Sequence, residues 1–166
     1  MKKIIPAVST FAIAWLHVMN LAHAHDRHQV PVEMFNGKTL KIDMDEWAIT
    51  SLLDMDFALD EMKKVAAPSN PYTREVQLYR LRSASAVLRH KSNIFNKMAI
   101  SAAEGTGAAR TRMLYPCNLA LQDIDKKISN IVSVITEEKV VFDQTELDQT
   151  FGKNIAHCFR AIKHVN

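Results

Sequence analysis

Apolar positions along this chain follow three different rhythms. Residues 4–22 carry no charged side chain and are dominated by Ile, Ala, Val, Leu, Phe and Trp. Residues 25–43 alternate instead, with Val30, Val32 and Met34 before Asn36-Gly37, then Leu40 and Ile42 after it. Beyond Asp43 the apolar residues recur every three or four positions, the period of an amphipathic helix.

Asn-Gly between two alternating runs predicts a β-hairpin. A two-residue loop would pair Met34 with Thr39 and put the two apolar sets on opposite faces. A three-residue loop or a bulge restores a common face. Pro31 confines the first strand to an edge. Residues 25–43 are therefore expected to form a short hairpin or an extended arm.

The first helical stripe is Ala48, Leu52, Met55, Leu59, Met62 and Ala66, widened by Ile49, Leu53 and Phe57. Pro68 stops it, and Asn70-Pro71 supplies a cap and a first helical proline for the next helix. That helix carries Leu78, Leu81, Ser85, Leu88, Ser92, Phe95, Ala99 and Ala102, and Gly105 and Gly107 close it. A third stripe runs Leu114, Cys117, Leu121, Ile124, Ile128, Ile131 and Ile135. Pro116 lies inside it, so either that helix starts near Tyr115 or a longer one kinks at the proline. Asp143 with Glu146 three residues later resembles a capping box. The fourth helix presents Leu147, Phe151, Ile155, Cys158, Phe159 and Ile162.

Four amphipathic helices with short connections predict an all-α fold, an antiparallel helical bundle over residues 44–166. Charge supports pairing the first two. The first carries Asp45, Glu46, Asp54, Asp56, Asp60 and Glu61, and the second Arg74, Arg80, Arg82, Arg89, Lys91 and Lys97. Exposed pairs of this kind add only about 0–1 kcal/mol each, so they select the neighbour more than they stabilise the fold.

The N-terminus reads as an address. Lys2 and Lys3 precede the apolar run, which ends in Ala22-His23-Ala24, an A-x-A cleavage site. Pro6, Ser9, Thr10, His17 and Asn20 interrupt the run, and no cysteine follows it for a lipid anchor. Residues 1–24 are expected to be a signal peptide cleaved before His25. The full chain has 21 Lys and Arg against 18 Asp and Glu, a net charge of +3. Two of the lysines belong to the signal, so the mature chain of 142 residues falls to +1. That removes the support for nucleic-acid binding. No second long apolar segment follows, so no membrane span is expected in the mature chain. The short Lys-Lys start suggests a bacterial periplasm, with secretion outside the cell as the alternative.

Cys117 and Cys158 are the two cysteines of the chain. An even pair in an oxidising compartment is expected to form a disulfide. Counted from the turn between the third and fourth helices, their heights differ by roughly 9 Å at 1.5 Å per residue. Tilt or an earlier helix end would have to absorb that, because a bridge needs Cα atoms within about 7 Å. No CxxC or other redox motif marks a catalytic thiol.

His25 at a new N-terminus, with its α-amino group and His28, forms a candidate site for copper or zinc. Haem is a further candidate through Met55, Met62, Met98 or Met113 with His90 or His157. There is no CxxCH, and methionines at helical spacing usually fill cores. His157 and His164 are two turns apart, not the closer pair of a helical zinc site. HExxH, GxSxG and P-loop motifs are absent from the sequence, and no two carboxylates stand out as acid and base, so catalysis is not expected.

The sequence thus points to a non-catalytic periplasmic protein that works by protein–protein contact. One concrete form is an immunity protein that neutralises a toxic effector. The alternatives are a metal- or haem-binding bundle and a periplasmic chaperone. The candidate contact residues are the acids Asp54, Asp56, Asp60 and Glu61 of the first helix, with Val32, Met34 and Phe35 of the arm as apolar anchors.

Overall fold

The computed structural model describes residues 29–34, 36–67, 72–102, 107–140 and 142–163. The expected signal peptide over residues 1–24, His25, His28, Phe35, Pro68, Asn70, Pro71, Gly105 and His164 lie outside the described residues. Two strands, β1 (Gln29–Glu33) and β2 (Thr39–Asp43), precede four helices: α1 (Met44–Ala66), α2 (Arg74–Ser101), α3 (Gly107–Thr136) and α4 (Gln144–Lys163). The molecule is a helical bundle with an antiparallel hairpin in front of it.

The hairpin takes the three-residue option. Val30 pairs with Ile42 and Val32 with Leu40. Met34 N–H donates to the Lys38 carbonyl at 2.7 Å, leaving three residues between them. Gly37 sits at φ +74°, the left-handed position such a loop requires. Counted along the ladder from the Met34–Lys38 bond, Pro31 falls at a pair where its missing N–H would point away from β2. Val30 and Val32 face inward and β1 packs on α2.

Asp43 ends β2 and caps α1, its carboxylate accepting from the N–H groups of Asp45 and Glu46. Thr73, not Asn70, caps α2; its hydroxyl accepts from Val76 N–H at 3.4 Å. Gly107 opens α3 rather than closing α2. A Cβ there would stand 3.1 Å from the Ala102 Cβ, a tight contact that glycine avoids where α3 starts close to the end of α2. The helix then continues through Pro116, the longer of the two expected arrangements. The proline leaves the Arg112 carbonyl without its helical donor, and Arg112 is exposed, so water can serve it.

α1, α2 and α3 pack pairwise on one another, while α4 lies along α3 and meets α1 only slightly. The shared core holds Trp47, Met55, Leu88, Phe95, Leu121 and Ile124 among others. Trp47 stacks near Phe95, with ring centroids 4.8 Å apart, and its indole N–H donates to the Lys91 carbonyl. At one end Arg110, 5% exposed, ties three helices together. It pairs with Asp45 at the start of α1 and donates to the Ala161 carbonyl near the end of α4.

α3 ends in a Schellman turn. Glu138 N–H reaches the Ser133 carbonyl and Glu137 N–H the Val134 carbonyl, with Glu137 at φ 61°. The connection then runs back beside α3. Asn130, buried, donates to the Phe142 carbonyl at 2.8 Å and accepts from Phe142 N–H at 3.2 Å. Asp143 caps α4 through a bond from Glu146 N–H.

That returning strap resolves the height mismatch of the cysteines. α4 begins level with Asn130, not with the end of α3. The two helices then run in step, with Lys127 opposite Asp148, Asp123 opposite Asn154, and Cys117 opposite Cys158. Helix three does not end early. Cys117 and Cys158 lie at disulfide distance, S–S 2.04 Å and Cα–Cα 4.6 Å.

Candidate functional site

The expected contact residues divide sharply between core and surface. Val32 is fully buried and Met34 half-buried. Val32 is thus a packing residue of the arm, because alternation turned its side chain toward α2. Glu61 is also corrected: it is 2% exposed and belongs to the seam between α1 and α2. Arg80 Nη1 reaches one carboxylate oxygen at 2.8 Å and Lys64 Nζ the other at 3.1 Å. Burial by itself would raise the Glu61 pKa. The hydrogen bonds and charges of Arg80 and Lys64 outweigh it and hold the carboxyl below its ordinary value.

Asp54 is partly buried and faces Lys91 at 3.5 Å, while the Lys91 ammonium also donates to the Thr50 hydroxyl at 2.6 Å. The charge match expected between the first two helices is therefore real, and it uses Glu61–Arg80 and Asp54–Lys91. Among the described residues Asp60 pairs only with Lys64 on its own helix, at 2.6 Å, with both side chains about half exposed. Asp56 has no ion-pair partner among the described residues.

Beside Asp56 and Asp60 stand two apolar side chains that the stripe would have buried. Leu53 is 40% and Phe57 51% exposed. They are four residues apart, so they share a face, and the half-buried Ile49 continues that face one turn back. The signal for this was in the helical angle. At about 100° per residue, Leu53 and Phe57 fall far from the centre of the stripe through Leu52 and Met55. The outer face of α1 is thus an apolar ridge bordered by acids, with the inner acids already satisfied by α2.

The other candidate chemistries are scattered. Met55 and Met98 fill the core, Met113 and His90 are exposed, and Met62 and His157 are half-buried. Among the described residues no group of three or more His, Cys, Asp or Glu is placed to hold a metal ion, and no helix is long and apolar enough to cross a membrane.

Fold and surface together define a class: a hairpin-fronted helical module with one cysteine pair and an amphipathic outer face. No protein-family model, curated protein or solved structure matches this chain.

Proposed function

We propose that the mature protein acts in the periplasm by binding another protein without catalysing a reaction, as an immunity protein does for a toxic effector. The outer face of α1 is the contact surface. The observation that carries this reading is the exposure of Leu53 and Phe57 on one helix face beside Asp56 and Asp60. Aromatic and aliphatic anchors ringed by charge are the usual composition of a protein-binding hot spot. The acids steer a basic partner toward the ridge, and the apolar side chains supply affinity once water is expelled.

The experiment begins with a photo-crosslinking residue at position 53 in exported protein, to identify the partner. Binding is then measured with purified components. Phe57→Ala should weaken binding by about tenfold or more, the loss typical of a hot-spot truncation. Asp56→Lys with Asp60→Lys should slow association and flatten its salt dependence. Both variants should keep the helical circular-dichroism spectrum. A partner bound equally well by all three proteins would reject α1 as the interface.

A further inference from the structure

Away from α1, a cavity of about 500 Å³ opens between α2 and α3. It exists because facing positions carry small side chains, Ser85 and Ala86 on α2 and Ser129 and Ser133 on α3, over a floor of Ile128 and Val132. That volume lies in the ordinary range for small-molecule sites.

Ser133 is the unusual residue. It is nine-tenths buried, yet its hydroxyl has no protein partner among the described residues. The other buried serines all have one: Ser51 donates to the Trp47 carbonyl, Ser85 to Asp125, and Ser92 accepts from Gln122. A hydroxyl on a cavity wall with no protein partner is open to a ligand seated there.

The charges at the rim add a second requirement. Arg89 is already matched, its Nε donating to Asp125 at 2.9 Å. Arg82 and Glu138, which also line the cavity, have no ion-pair partner among the described residues. One unmatched charge of each sign therefore faces the same space. The Schellman turn of α3 fixes the place of Glu138, and Arg82 lies seven residues before Arg89 on α2.

We propose that this groove binds a zwitterionic amino acid with an apolar side chain. Its carboxylate meets Arg82 and the Ser133 hydroxyl, its ammonium meets Glu138, and its side chain covers Ile128 and Val132. Charge-assisted bonds of this kind fix orientation, and the apolar floor supplies burial.

Calorimetric titration of the exported protein with L-leucine tests this, alongside the two halves of the same molecule, 4-methylpentanoate and isopentylamine. Leucine should bind one to one, and each half more weakly by about tenfold, the loss of one charge-assisted bond. Arg82→Gln and Glu138→Gln should each weaken leucine binding by a similar factor, while Glu138→Gln leaves 4-methylpentanoate unchanged. Both residues are exposed, so neither change touches the core. Ala86→Leu should fill the groove and abolish all binding with the helical spectrum intact. No heat with leucine at about 10 mM would overturn the proposal. Equal affinity for leucine and 4-methylpentanoate would also overturn it, because the ammonium would then contribute nothing.

Discussion

Reduction of the cysteine pair, or Cys117→Ser with Cys158→Ser, should lower the stability of the protein by about 4 kcal/mol. The two residues are 41 apart in sequence, and a link across that span restricts the unfolded chain by about this amount in the chain-entropy account. With a urea dependence of about 2 kcal/mol per molar, the unfolding midpoint should drop by about 2 M. The loss should also be local. α4 buries Leu147, Ile155, Ala161 and Ile162, packs Phe151 and Phe159 against the core, and adds polar bonds to α3. Asn154 bonds Asp123 at 2.8 Å, and Lys127 bonds Asp148 at 2.8 Å with Asp148 about half exposed. α1, α2 and α3 share the larger apolar core without it. Amide hydrogen exchange of oxidised and reduced protein should therefore differ most over residues 144–163 and least over 44–66 and 74–101. An unchanged urea midpoint on reduction would refute the stabilisation. Equal loss of protection in all four helices would refute the idea that α4 depends on the clasp.

Further expectations follow from single residues. The Glu61 pKa is lowered on folding, so its contribution is complete above the ordinary value of 4.5 and disappears as pH falls through the folded value. The urea midpoint should accordingly decline below about pH 5, and Glu61→Gln should make that decline shallower. Asn130→Ala removes both bonds to Phe142 and should cost about 2 kcal/mol in chemical denaturation, since it frees the strap that sets the height of α4. Glu137 occupies a left-handed position without being glycine, so Glu137→Gly should raise stability by about 0.5–1 kcal/mol in the same assay. N-terminal sequencing of exported protein should begin at His25; an intact Met1 on membrane-bound protein would contradict cleavage.

Where a residue's environment was set by its own helix, its position could be read from spacing. Leu114, Cys117, Leu121, Ile124 and Ile128 are all buried, as the third stripe requires. Asp43 and Asp143 cap their helices because the cap bond reaches only two or three residues along the chain. Features that depend on a second element were not legible. Glu61 reads as one more surface acid until Arg80, on another helix, comes to meet it. Phe57 reads as core because hydrophobicity alone does not say which side of α1 has neighbours left to offer. Spacing alone places Cys117 and Cys158 at different heights, because it carries no sign of a connection that doubles back from the end of α3. Nothing in residues 137–143 announces that they turn back to Asn130. The groove behind Arg82 and Ser133 belongs to neither helix alone, and Ser85 on the second stripe gives no sign of a cavity.

The position of α3 between two separate partners orders the assembly of the chain in time. Apart from the packing of α1 on α3 and of β1 on α2, the main helix contacts join consecutive elements, a topology of short loops that favours rapid folding. A chain delivered N-terminus first presents α1, α2 and α3 before α4 arrives. During that interval the triangle can close around its apolar core while Cys117, on the flank of α3 that α4 will cover, remains a lone thiol. Oxidation must wait for Cys158, near the end of the chain. The bridge is then a late lock on a fold already chosen, and an exposed Cys117 thiol marks molecules that have not finished.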